Sequence, residues 1–399
     1  MPTSRFQRIF LIAGILSLFA AYIGWWFRFI NDPVQRTGSD FIAFYAAGRV
    51  AQEYGFSRTY EPDLQQAVQQ EVVGFPLVDG QVLLYNHPPY SSPVLRLLVT
   101  PDYVESFHRW VFLLITIYVV SIFILSKILE YSGVERRTLF LTAVSAFLFL
   151  PIYLSLMNGQ DTAIVFLGTA VWLYGLTTGK ESLAGLGLSL TVLRPHISLA
   201  LAIPMIFRYR KAFFAYVVGS ACLVIFSTLV IGLDGMQKYM DLLLISTGGE
   251  WHGMNEESMV NLLGLGLRIL GPTVADAMRL WAWVIFGAAI FVLSYLWSRR
   301  TQFPGNLIGL TMVVTLFTSP HLHFHDLTLL LIPFYELVRL GYLKKFAAIA
   351  FPIAASLLLL ISNITPVLQF TTPYVLMLVL AIYPYLSKEG KTLTAPHRS

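Results

Sequence analysis

The residues of this chain that could do chemistry are few, and they fall in short polar interruptions of a very apolar sequence. Asp40 follows the first long apolar run and precedes Phe41, Phe44, Tyr45 and Gly48, whose spacing predicts a helix starting after Ser39 or Asp40. A carboxylate there can cap the free N–H groups of the helix. It can also serve as a general base at a membrane–water boundary, and the two roles are compatible. Arg194 ends an apolar run and precedes Pro195 and His196. Such an arginine either snorkels to water or binds phosphate through its paired N–H groups, with His196 as a further donor.

A second group, His321, His323, His325 and Asp326, follows Ser319-Pro320. Alternating histidines can share one face of an extended segment, but zinc needs three or four converging ligands, and no metal is expected. A structural or surface role stands beside contact with a substrate or phosphate. Asn158, Gln160 and Asp161 form a tight polar turn with Gly159. Turn and capping chemistry explains that composition; support of an acceptor is the other reading. Glu256, beside Glu257, fits a helix start, where acids offset the dipole. His87 stands in the helix-breaking run Asn86-His87-Pro88-Pro89-Tyr90. Cys222, the single cysteine, excludes an internal disulfide and any Cys-based metal site. There is no P-loop or Rossmann glycine fingerprint, and no Asp-x-Asp for a metal-held sugar nucleotide.

Membrane helices must position these groups. Of the 399 residues, 56% are hydrophobic and only 12% charged, and the mean hydropathy is +0.67. A soluble domain carries roughly 25% charged residues, so membrane lipids must cover much of this chain. Its net charge of +5 is not gathered into a basic run or basic–aromatic patch, which argues against nucleic acid. Spans of about 20 apolar residues are expected at 9–30, 107–128, 138–156, 162–176, 212–233, 274–297, 306–318, 327–340, 346–361 and 367–385. The first is too long for a signal peptide and lacks a cleavage site.

The stretch 183–207 is interrupted by Arg194-Pro195-His196. As one span it would put Arg208, Arg210 and Lys211 outside; as two short helices meeting at the elbow it places 17 of the 27 Lys and Arg inside. The expected fold is therefore all-α and polytopic. It has about twelve membrane helices, two of them short, in one domain over 1–399 of the cell membrane. Both termini, with a tail over 387–399, are expected in the cytoplasm. Segment 31–106, with four Arg against nine acidic residues, is the first extracytoplasmic loop and should form a cap of interfacial helices. A further outside loop, 234–272, carries Glu250, Trp251, His252 and Glu256. Nearly all candidate residues thus share one face, and broken backbone at membrane depth must line a cavity. Broken helices also build transport sites, so a lipid or solute transporter or flippase is the alternative to an enzyme. No paired interrupted helices in matching halves support it.

Three ordered segments, residues 39–48 (SDFIAFYAAG), Thr59-Tyr60-Glu61 and Tyr85-Asn86-His87-Pro88-Pro89, resemble the start of glycosyltransferase family 87. The resemblance continues through Asn158-Gly159-Gln160, Ala184-Gly185, Arg194-Pro195, and Ser319-Pro320 with His325-Asp326. It implies a GT-C fold and transfer of a sugar, mannose foremost, from a polyprenyl-phosphate donor to a lipid or glycan acceptor. That is glycolipid biosynthesis at the extracytoplasmic face, with inversion and without a cofactor. By the same resemblance Asp40 is the general base, Arg194 stands where the family usually has Lys before Pro, and His325 lies near the active site. The run His321-Leu322-His323-Phe324 departs from the commoner pattern.

Overall fold

A computed structural model describes residues 4–78, 80–247, 256–299 and 306–386. The expectations for Glu250, Trp251, His252 and the 387–399 tail lie outside these residues. Among the described residues every regular element is helical, and the chain is a polytopic membrane protein. Among the described residues six helices are long and apolar enough to cross a bilayer, or seven when one bent pair counts as a single span. Their outer faces carry large apolar side chains, such as Leu229, Phe291 and Phe112, each more than two-thirds exposed. In water that surface would be unstable; in lipid it is the expected covering.

The expected stretches are helical, with four differences. The span expected over 138–156 is two helices, Arg136–Phe147 and Leu150–Asn158, bent by 43°. Pro151 has no N–H to offer the preceding turn, and neighbouring helices satisfy the groups freed at the break. Tyr22 donates to the Leu148 carbonyl at 2.7 Å, and Leu150 N–H donates to Ser356 Oγ at 2.9 Å. Second, the outside segment after residue 233 is not all loop. Helix Arg210–Thr247 resumes beyond a kink at Gly232, where φ is +73°, a value that glycine adopts freely.

Third, the apolar helices Thr162–Thr177, Glu181–Leu193, Pro195–Met205 and Leu307–Thr318 are all shorter than a full crossing. The expectation was two short ones, and the span expected over 327–340 is likewise a 3-10 segment, Phe324–Leu330, followed by a nine-residue helix, Leu331–Arg339. These helices pack inside the protein, so lipid thickness does not set their length. The elbow at Arg194 is as expected: a 3-10 turn Leu190–Leu193 ends there and Pro195 starts the next helix. Fourth, helix Phe41–Glu53 lies within the protein rather than on its surface. Residues 41–48 are all buried, because helices Pro62–Val73 and Ser92–Leu98 cover it. The helices of segment 31–106 pack on one another and against helices Tyr103–Tyr131 and Arg210–Thr247 as a cap.

Candidate active site

Three broken places in the backbone meet beneath that cap. The first is the start of helix Phe41–Glu53. Asp40 occupies its N-cap position, yet its side chain caps nothing. The second is the turn at Gly159, whose φ is +66° and where a Cβ would fall 2.7 Å from Phe41 Cβ. Only glycine satisfies both the turn and this close approach. Trp110 Nε1 fixes the turn by donating to the Gly159 carbonyl at 2.7 Å. Gln160 is thereby set against Asp40, and its Nε2 donates to Asp40 Oδ2 at 2.6 Å. The capping reading of Asp40 thus gives way to a carboxylate held from across the fold.

The third place is the elbow. Arg194 Nη2 donates to Gln160 Oε1 at 3.2 Å, so one amide bridges Asp40 and Arg194. The same guanidinium lies 3.2 Å from Asp161 Oδ1 and 3.8 Å from Asp326 Oδ1. Neither contact has hydrogen-bond geometry; Arg194 Nε and both Asp161 oxygens make no hydrogen bond. The snorkelling reading is therefore wrong. The side chain turns inward, where two carboxylates offset its desolvation.

Asp40, Gln160, Arg194, Asn158, His87, His321, His323 and His325 all line one cavity of about 380 Å³. Asp161 and Asp326 stand behind the wall. Asp326 accepts from Thr162 Oγ1 at 3.0 Å and from the His323 N–H at 3.1 Å, which makes it a brace for the histidine loop. Burial alone would raise the Asp161 carboxyl, but the His87 and Arg194 charges outweigh it and hold the group below the usual carboxylate range. Burial, with His325 alongside, pushes His323 down to about 4. Burial with His323 and His196 nearby pushes His321 well down. Both rings are therefore neutral at pH 7.

Besides Asp161 and Asp326, two further candidates do not line the cavity. His196 is set back, its ring against that of His321 with centroids 6.3 Å apart. Glu256 is held by Arg279 through contacts of 2.7 and 2.9 Å. Among the described residues no three His, Cys, Asp or Glu side chains are arranged to hold a metal ion. Sequence reasoning missed Ala43, Phe44, Leu83, Leu84, Asn86, Ser258 and Phe324, which complete the lining. It also missed Asn261, whose Nδ2 donates to the Ser319 carbonyl at 2.8 Å and so fastens the histidine loop. Asn86 stood beside His87 in the helix-breaking run; Ala43, Phe44, Leu83, Leu84 and Phe324 carried no signal, because apolar wall residues look like any other core residue, and Ser258 and Asn261 are single polar residues outside any motif.

A multi-pass helical membrane protein with one polar, half-enclosed cavity of carboxylate, guanidinium and imidazole groups is a class in which membrane enzymes are found. Comparison narrows it: a family model for glycosyltransferase family 87 matches residues 85–320. The chain belongs to glycosyltransferase family 87 and is a membrane glycosyltransferase. No curated protein and no solved structure matches it. The matched stretch holds His87, Gln160, Asp161 and Arg194; Asp40 and the histidine loop lie outside it and reach the cavity through the fold.

Proposed function

We propose that the enzyme transfers a sugar, mannose foremost, from a polyprenyl-phosphate donor to a lipid or glycan acceptor by one inverting displacement. The observation that carries this reading is the link Asp40–Gln160–Arg194. A carboxylate released from capping and a cation with unused donors share one cavity wall and one bridging amide. Asp40 takes the proton of the acceptor hydroxyl as that oxygen attacks the anomeric carbon. Arg194 faces the donor phosphate, with His325 beside it, and stabilises the charge that develops on the leaving group. Its charge is shared with Asp161 and Asp326, so it holds the phosphate as one of several donors. Gln160 and Asn158 orient the acceptor side, and Asp326 supports from behind.

The helix ends remote from the cavity carry Arg5 and Arg8, Arg208, Arg210 and Lys211, and Arg339, Lys344 and Lys345. The positive-inside rule assigns that side to the cytoplasm. The cavity then faces the extracytoplasmic side of the cell membrane, as a GT-C enzyme using a lipid-linked donor requires.

The test uses purified protein, radiolabelled polyprenyl-phosphate mannose and a panel of lipid acceptors. Asp40→Asn is expected to lower turnover by about 10³-fold, within the range of general-base removal, while donor binding stays intact. Normal turnover in Asp40→Asn removes the base from this scheme.

A further inference from the structure

The cavity holds a second proton-handling group. His87 Nδ1 lies 2.7 Å from Asp161 Oδ2. The imidazole is gripped by Phe44, with centroids 4.6 Å apart, and by Tyr85, at 5.2 Å and nearly parallel. Tyr60 fixes the backbone by donating to the His87 carbonyl at 2.7 Å. The 2.7 Å contact is an ion contact without hydrogen-bond geometry; when the ring is doubly protonated, Asp161 faces the Nδ1–H and Nε2 is the working nitrogen. Arg194 Nη1 also reaches Nδ1, at 3.5 Å, farther than the carboxylate at 2.7 Å.

The charge balance of the wall says what Nε2 is for. Three carboxylates, Asp40, Asp161 and Asp326, surround one guanidinium. A phosphodiester would add another negative charge, so a bound donor needs a further proton nearby. His321 and His323 are neutral, and His325 approaches Asp326 only to 3.6 Å. Among the lining histidines, His87 is the one with a carboxylate at hydrogen-bond distance on its ring. The charged and titratable groups around it are Asp161 and Arg194, Tyr85 and Tyr60 on the cap, and Asp40 and His323 on the shared cavity.

Resting on the donor class proposed above, we infer that His87, held by Asp161, is the general acid that protonates the departing phosphate. As the acceptor oxygen bonds to the anomeric carbon, the carbon–oxygen bond to phosphate breaks. The acceptor proton passes to Asp40. The electron pair of the broken bond stays on the phosphate oxygen, which takes the Nε2 proton of doubly protonated His87. The imidazole is left neutral with Nδ1–H on Asp161. Water then carries the proton from Asp40 back to His87, and both groups are restored.

The test compares wild type, His87→Gln and Asp161→Asn as full-length protein in lipid nanodiscs, from about pH 5.5 to about 9, a range that brackets histidine. Substrates are polyprenyl-phosphate mannose and mannosyl fluoride, whose leaving group departs without a proton. Wild-type kcat with the lipid donor should fall on the alkaline side. In His87→Gln it should drop by about 100-fold, with that limb flattened and donor KM little changed. Asp161→Asn should move the limb to lower pH. With the fluoride, His87→Gln should match wild type. An unchanged alkaline limb in His87→Gln, or an equal loss with both donors, overturns the inference and leaves the donor class standing. Wild type that uses the fluoride but not the lipid donor defeats the donor class, and the inference falls with it. Nitrogen-15 histidine spectra read the tautomer without turnover: a neutral Nε2–H form of His87 in wild type also overturns it.

Discussion

Two arginines of this chain are buried beside carboxylates with the same 10% side-chain exposure, Arg339 and Arg194. Arg339 meets Glu336 of its own helix, with Nε and Nη2 each 2.7 Å from a carboxylate oxygen. That is a bidentate pair formed within one turn. Arg194 draws its partners from three places, the turn at Gln160-Asp161, His87 and Asp326, at 3.2 Å or beyond, and its Nε has no hydrogen bond. The first arrangement is closed and stabilises a helix end. The second is open: the side chain stands on the cavity wall and its buried Nε is left without a hydrogen bond. Depth of burial therefore does not separate a structural arginine from a functional one; completeness of pairing does.

Removing each charge tests the contrast most severely. Arg194→Met strands Asp161 and Asp326, and should cost about 3–5 kcal/mol of stability together with nearly all transfer. Thermal unfolding in detergent and turnover per folded molecule measure the two losses separately. Arg194→Lys should fold and keep partial activity, since it retains charge but loses the planar fork. Glu336→Gln should cost about 2 kcal/mol, because the charge-assisted bidentate pair with Arg339 is lost, while turnover per folded molecule stays at the wild-type value. A drop in that turnover would erase the distinction between the two arginines. Gln160→Ala keeps both charges but removes the bridge, and about a tenfold loss in turnover is expected, or about 1.4 kcal/mol.

The smallest effect is a pH dependence confined to the cavity end. His323 is held down at about 4, against an ordinary value of 6.5. As pH falls, the unfolded chain therefore binds this proton first. The stability associated with a neutral His323 is complete above pH 6.5 and is lost progressively between pH 6.5 and about 4. Melting temperatures across that window should fall less steeply in His323→Gln than in wild type.

Much of the scaffold was legible, because the cost of exposing backbone and charge to lipid writes long apolar runs into any membrane chain. The elbow at Arg194 was legible too, since proline, charge and the sidedness of lysine and arginine agreed there. The break at Leu148-Phe149 was not. Its freed groups are satisfied by Tyr22 and Ser356, residues more than a hundred positions away. Nor was the buried state of helix Phe41–Glu53, whose cover comes from later helices. Asp40 looked like a cap because its local sequence fits one, and Gln160, about a third of the chain further on, took its carboxylate instead.

By itself, the sequence determined that the chain lives in a membrane, where its helices run, and that its reactive residues fall at helix ends. Hydropathy and proline act over short range, so those properties are local. Only the tertiary structure decided which helix ends meet. Glu256 went to Arg279, His196 went behind His321, and Asp40, Gln160, Arg194 and His87 came to one wall. Partner choice among buried polar groups depends on which of them packing brings within hydrogen-bond reach. That distance is a property of the fold, which no short stretch of residues contains.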